Sequence, residues 1–338
     1  MDLFLKLSRI KALFKSFFNA EWKWQSPPIC DVLIYDQTGS EVVKKLFNKN
    51  CSIGVMPVRG ESYNIKVLMN SLTIIGLCKT DIRLPYIISY IKCSKPRLII
   101  TFIDNSAIFY RISSLIPGAK TALIQNGTRG GVANVFDNIT PNNVWRVDYM
   151  FLFGQEIGKT YSKFIEGEVI PVGSIKNNMV QTPKLLKEFN FSKKVAFISQ
   201  WRPDALDGFF IKIRNYLITH EDFYSSERIA LGFLSEWCQD NGYEFAIIGA
   251  ARGGDDSEQE QNFYKKIIKS EFSFLSPERT LDSYYQLDRF DIISCIDSSL
   301  GYESLARGNK TAIFSTRGSS PGIVGSSYFG WPGCYGDT

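Results

Sequence analysis

Short apolar runs alternate with amphipathic stretches along most of this chain. That alternation constrains the fold more than any other feature. A run of four to seven apolar residues suits a strand buried on both faces, and a helical pattern before the next run suits a cover for the sheet. In the first half the candidate strands are 31–35, 52–56, 97–103, 120–124, 149–153 and 168–172. Helical spacing falls between them at 40–47, 63–72, 84–92 and 106–116. A second series holds strands at 194–198, 244–248, 272–275, 291–296 and 310–314, with a long helix near 228–241. The expectation is an α/β protein of two doubly wound, Rossmann-like domains. They cover residues 31–174 and 193–338, with a polar connector at 175–192 and an amphipathic segment at 1–30. The acidic, glycine-containing stretch 253–261 reads as a mobile surface loop.

Composition narrows the partners. With 338 residues the chain exceeds what one core usually supports. A formal charge of +5 favours an anionic ligand without reaching a nucleic-acid signature. The seven cysteines are scattered, none in a Cys-x-x-Cys pair, so reduced thiols in a cytoplasm are the simplest account. The single histidine, His220, argues against a His-dependent triad or a multi-His metal site. No apolar run is long enough for a transmembrane helix. Leu3, Phe4, Leu7, Ile10, Leu13, Phe14, Phe17 and Phe18 nonetheless recur at helical spacing among Lys and Arg. Residues 1–24 therefore read either as a helix covering its own domain or as a peripheral contact with an anionic membrane.

Polar tips follow the predicted strands, where parallel sheets bind ligands. The fullest is Asp297-Ser298-Ser299-Leu300-Gly301-Tyr302-Glu303, where an apolar run meets N-cap residues and a helix start. Two hydroxyls beside free backbone N–H groups can hold a phosphate without a metal. Glu303 then either accepts bonds from a ribose or complements the helix dipole. Ser199, Gln200 and Arg202 follow the strand at 194–198, either as ligand contacts or as a solvated turn. Gly249 to Arg252 follow the strand at 244–248, where small residues admit a base and Arg252 holds an anion. These features point to a nucleotide-linked donor, and so to a transferase.

In the first half, Asp104 stands just past a buried run, as a nucleophile or general base, or as the N-cap of the next helix. Asn126 and Arg129 follow the strand at 120–124, and Arg129 suits bidentate capture of a carboxylate. Glu61, past the strand at 52–56, is either a general acid/base or a helix-start glutamate. Asp36 is a weaker alternative. No metal site is expected.

Leu123–Arg129, Phe153-Gly154 with Pro171–Ser174, Phe197–Gln200, Ile296–Glu303 with Ala306–Gly308, and Phe329–Pro332 together resemble bacterial surface-carbohydrate biosynthesis proteins. These are a glycosyltransferase-B-like group related to retaining Kdo transferases of capsule and lipopolysaccharide assembly. The resemblance runs from about Asp31 to the end. It implies two domains facing a cleft, and a CMP-activated Kdo or nonulosonic acid as co-substrate, with no other cofactor. It also implies a glycan or lipid-linked acceptor, action at the inner face of the cytoplasmic membrane and no nucleic acid. Ser298 and Ser299 match the paired serines that bind the CMP phosphate in similar sialyltransferases, and Asp104 is the candidate nucleophile. Within the same fold the alternatives are a UDP-sugar transferase or epimerase, or a non-catalytic assembly subunit. Enzymes of this type usually close with helices returning to the first domain; the sequence stops at Tyr335–Thr338 with no such pattern before it, so either it is cut short or the element is lacking.

Overall fold

A computed structural model of the chain describes residues 20–74, 83–127, 145–181, 192–202, 211–213, 216–218, 220–296 and 298–314. The chain divides into two compact units, one of residues 1–126 and 138–173, the other of 127–137 and 174–338. Both are α/β with a parallel sheet, as the alternation of apolar and amphipathic runs predicts.

The first unit contains β1 (Glu21–Lys23), β2 (Val32–Tyr35), α1 (Ser40–Lys44), β3 (Ile53–Met56), β4 (Ser62–Asn64), α2 (Ile65–Leu72), α3 (Arg83–Ser94) and β5 (Leu98–Thr101). It continues with α4 (Ile112–Leu115), β6 (Lys120–Ile124), β7 (Trp145–Leu152), α5 (Gln155–Tyr161) and β8 (Ile165–Pro171). Six strands form one parallel sheet in the order β3-β2-β5-β6-β7-β8. All four residues of β2 are buried, as are three of four in β5, because helices cover both faces. Asn64 starts α2 by accepting a bond from the Val67 N–H at 3.1 Å. Outside the main sheet, β1 pairs in parallel with β4, and Trp22 lies against Tyr63 with ring centroids 5.7 Å apart. Trp22 and Trp24, at the end of the segment read above as either a cover for its own domain or a membrane contact, thus differ: Trp22 stacks in its own unit, and Trp24 is 72% exposed. Residues 1–19 lie outside the described residues.

The second unit contains α6 (Ile175–Asn178), β9 (Lys194–Ile198), β10 (Ile211–Ile213), β11 (Tyr216–Ile218), α7 (His220–Asn241), β12 (Glu244–Ile248) and α8 (Gly254–Ile267). It ends, among described residues, with β13 (Ser273–Leu275), α9 (Asp282–Leu287), β14 (Ile292–Cys295), α10 (Ser299–Ala306) and β15 (Lys310–Ile313). Its parallel sheet runs β13-β12-β9-β14-β15, and β10 and β11 form a small antiparallel pair. Two apolar clusters occupy the sheet's faces: Val195, Phe197, Leu231 and Tyr264 belong to one, Ala196, Ile198, Leu287 and Ile293 to the other.

Two expectations are corrected here. The stretch 253–261 is the N-cap, Gly253, and the first half of α8 rather than a loop. Asp255 and Asp256 sit in its first turn, where they complement the helix dipole, and Glu260, Phe263 and Tyr264 share its buried face. The stretch 175–181 is also more than a connector, since α6 is tied to α10 by the side chains described next.

Candidate functional site

In the second unit the order of strands decides where a ligand can lie. From β9 the chain moves outward through β12 to β13, then returns to the other side of β9 to form β14 and β15. Successive connections therefore diverge at the carboxyl ends of β9 and β14, which opens a crevice there in doubly wound sheets. The tips that border it are 199–202 after β9 and 298–301 after β14, with 249–252 beside them after β12.

The polar groups at these tips differ in burial and in the bonds they already make. Ser199, expected to touch a ligand, is buried. Its Oγ lies 2.7 Å from the Tyr264 hydroxyl, accepts the Trp201 N–H at 3.1 Å and bonds the Glu260 carboxylate. Glu260 reaches back from α8 to accept the N–H groups of Ala250 and Ala251, each at 2.8 Å. Those amides, in the turn expected to admit a nucleotide's base, are thus occupied. Burial raises the Glu260 pKa above the ordinary carboxylate value, and its bonds from Ser199, Ala250 and Ala251 pull the other way. Gly249 is buried and its N–H donates to the Leu275 carbonyl at 2.9 Å. Arg252 is exposed and Nη1 reaches Thr280 Oγ1 at 3.4 Å. The Arg202 N–H donates to the Tyr224 hydroxyl at 3.1 Å, Arg202 is exposed, and Gln200 is half-buried.

After β14, Ser298 is the N-cap of α10, its φ −74° and ψ 132° extended and its Oγ accepting the Leu300 N–H at 3.3 Å. Ser298 and Ser299 are half-buried. Gly301 is buried because α10 lies directly on β14: a Cβ there would stand 2.3 Å from Cys295 Sγ. Asp297 and Arg129 lie outside the described residues.

Glu303, expected to meet a ribose, faces the interior. It is 4% exposed, accepts from the Ser174 hydroxyl, and accepts from the Tyr284 hydroxyl at 2.7 Å. Burial raises its pKa, against the opposing pull of Lys176, Ser174, Tyr284 and Arg307. One turn on, all five N–H donors of Arg307 are engaged. Asp288 takes two, one at 3.0 Å from Nε, and Asn177 Oδ1 and the carbonyls of Val180 and Gln181 take the others. Two of the motifs behind the family resemblance, Pro171–Ser174 and Ala306–Gly308, therefore meet around one buried polar cluster. Sequence reading missed it because Asp288, Asn177 and Tyr284 carry no local signal.

A raised folded-state pKa gives Glu303 a definite pH signature. The folded chain binds this proton more tightly than the unfolded one, so its contribution is complete below the unfolded value. It is lost as pH rises through the folded value. Glu303→Gln does not titrate, so the unfolding free energy of wild type relative to this variant should fall as pH rises above about 4.5. Parallel denaturant titrations from pH 4 to 8 measure it, and a difference independent of pH would remove Glu303 from this account.

In the first unit the expected catalytic groups are also distributed by burial. Asp104, expected as a nucleophile, is completely buried. The Tyr161 hydroxyl of α5 donates to its Oδ2 at 2.5 Å, and the Tyr110 hydroxyl donates to its backbone carbonyl. Those bonds turn the carboxylate into its own unit, so it serves as a tie between the β5 tip and α5. Glu61 is exposed, and its Oε2 accepts the Arg59 N–H at 2.9 Å. Asn126 is half-buried past the end of β6, next to Gln125, whose Oε1 accepts the Phe153 N–H at 2.8 Å. Asp36 is more elaborate than the sequence suggests: it is buried, has φ 80° and accepts from Thr38 and Arg59. Among the described residues, no group of three or more His, Cys, Asp or Glu is placed to hold a metal ion, and no helix is long and apolar enough to cross a membrane.

The family described as "putative O-antigen biosynthesis protein" matches residues 122–338, more than half of the chain. The chain belongs to this family. The match takes in β7, β8 and most of β6 of the first unit and the whole of the parallel sheet of the second, including both tips that border the crevice. No curated protein sequence matches the chain. Among solved structures, the chain is similar to a UDP-GlcNAc 2-epimerase from Neisseria meningitidis bound to UDP-GlcNAc. Identity is 13%, covering 83% of this chain and 81% of that one, with a TM-score of 0.44. It is also similar to the wall teichoic acid polymerase TagF, at 10% identity over 89% and 74% with a TM-score of 0.44. A third is S. aureus MnaA with UDP, at 11% identity over 83% and 78% with a TM-score of 0.44.

Proposed function

We propose that this member of the O-antigen biosynthesis family is a glycosyltransferase that takes its sugar from a nucleotide-activated donor held by the second unit. The observation that carries the reading is the divergence of connections at β9 and β14, with the Ser298–Ser299 start of α10 and the Arg202 tip on either side. The nucleotide's phosphate lies against the amino end of α10 and its two serines, with Arg202 and Arg252 supplying positive charge from neighbouring tips. Ser199 and Glu260 hold the backbone of their tips, and Glu303 holds the hydroxyls of Ser174 and Tyr284, rather than the ligand. The donor is a CMP-activated acidic sugar, Kdo or a nonulosonic acid, as the paired serines suggest, and the acceptor is a surface glycan or its lipid-linked precursor. Residues 1–24 supply a peripheral contact with the cytoplasmic face of the membrane.

Nucleotide-dependent protection against unfolding tests this directly. A nucleotide at a hundred times its dissociation constant adds about 2.7 kcal/mol, which raises the melting temperature by roughly 5–10 °C in a domain of this size. CMP should protect, and UDP, GDP and ADP should not. UDP protection without CMP protection transfers the reading to the UDP-sugar enzymes, and no protection by any of the four removes the nucleotide site. Ser298→Ala should abolish the CMP-dependent rise, over and above the roughly 1 kcal/mol lost with the helix cap. Release of CMP from a CMP-sugar by the pure protein distinguishes an enzyme from an assembly subunit.

A further inference from the structure

The first unit presents a charged device that the proposed donor site does not use. Its sheet order, β3-β2-β5, shows the same divergence as the second unit: the chain passes from β2 to β3 on one side and then returns to form β5 on the other. The carboxyl end of β2 therefore borders the crevice of this sheet. Asp36 stands there, its N–H donating to the Met56 carbonyl at 3.2 Å, so β2 and β3 stay paired to their last residues. Its φ of 80° lies in the left-handed region, which costs energy in any residue with a side chain and is concentrated at functional positions.

The side chain of Asp36 is 4% exposed and fully committed. Oδ1 accepts the Thr38 N–H at 2.9 Å, and Oδ2 accepts Nε of Arg59 at 2.8 Å. Arg59, three residues past β3, is 55% exposed. Among the described residues, its two terminal nitrogens have no hydrogen bond or ion pair. A surface ion pair between two mobile side chains adds little stability and needs neither burial nor strain. Here a buried carboxylate on a strained backbone grips the inner nitrogen and fixes the plane of the guanidinium. The two outer nitrogens, in the fork geometry that matches two oxygens of one anion, are left towards solvent.

We propose that Arg59, oriented by Asp36, is an anion-binding side chain that takes the carboxylate or phosphate of a sugar substrate on the first unit. The anion site follows from the geometry of Asp36 and Arg59 alone. Its assignment to a sugar substrate rests on the glycosyl-transfer reading. Asp36 is the positioning residue and Arg59 the contact.

Titration calorimetry of the full chain with glucuronate, glucose 1-phosphate and glucose tests the proposal. Either charged probe should bind and glucose should not, and comparison of the two charged probes assigns the site to a carboxylate or a phosphate. Arg59→Ala should lose the charged probe by roughly tenfold or more, the scale of one charge-assisted bidentate contact. Arg59→Lys should lose nearly as much, because a single ammonium cannot bond Asp36 and present a fork. Removing the guanidinium leaves the buried Asp36 carboxylate without its ion partner, so the variants should melt below wild type; binding is measured at a temperature where they remain folded, and their protection by CMP should persist. Retained nucleotide protection with lost sugar-anion binding isolates this site from the donor site. Failure of every charged probe to bind wild type, equal binding of glucose, or undiminished binding by Arg59→Ala would overturn the proposal, whatever the nucleotide panel shows.

Discussion

Arg307→Ala should be the most damaging single substitution in the second unit, with a loss of about 3–5 kcal/mol, the range seen when one member of a buried ion pair is removed. The Arg307 side chain is 0% exposed and that of Asp288 is 13% exposed. Truncation leaves the Asp288 carboxylate facing a cavity. It also strips Asn177 Oδ1 and the Val180 and Gln181 carbonyls of their donors. Arg307→Lys should recover little, because one ammonium cannot serve acceptors spread around a planar fork. Denaturant unfolding measures both. A midpoint for Arg307→Ala within error of wild type would show that the cluster adds nothing to stability. Arg307 also ties α10 to α6 and the segment after it through Asn177, Val180 and Gln181, so the variant should bind nucleotide less well under conditions where it remains folded.

Gly301→Ala should be the second large effect, and it connects stability with the proposed donor site. The added methyl would stand 2.3 Å from Cys295 Sγ, on a strand residue that is itself completely buried. Neither atom can swing into solvent, so α10 must move off β14. Overpacking of this kind costs about 1–3 kcal/mol, and the same displacement shifts Ser298 and Ser299 away from the crevice. Nucleotide protection should therefore fall by more than the stability loss alone explains. Cys295→Ala combined with Gly301→Ala removes the clash and should restore both properties, an interaction that a double-mutant cycle reports. Additive effects in the double variant would show that the contact is not the cause.

The strand pattern was legible because burial on both faces leaves a continuous apolar run, and β6, β9 and β12 lie where those runs predict, to the residue. Edges were less legible. β7 begins at Trp145, earlier than its apolar run suggests, and carries a register irregularity between Arg146 and Tyr149. The start of α8 was misread because Asp255, Asp256 and Glu258 dominate its composition. The telling feature was the spacing of Glu260, Phe263 and Tyr264, which puts one carboxylate on the apolar face. At the candidate site, the N-cap role of Ser298 was readable as a local signal. The close packing of Gly301 on Cys295, at a position expected to serve the nucleotide, was not. Neither was the inward turn of Ser199, Asp104 and Glu303.

The order of residues alone thus settled the α/β class, the positions of most strands and the polar tips at their carboxyl ends, since periodicity and capping act over a few residues. Which polar side chains face a ligand and which face the interior was decided by tertiary structure. Asp104 meets Tyr161 across 57 residues and Ser174 meets Glu303 across 129. A carboxylate at a strand's end reads identically in either role. Only a hydroxyl brought from a distant helix satisfies it in the interior, where leaving it without a hydrogen bond would cost several kcal/mol.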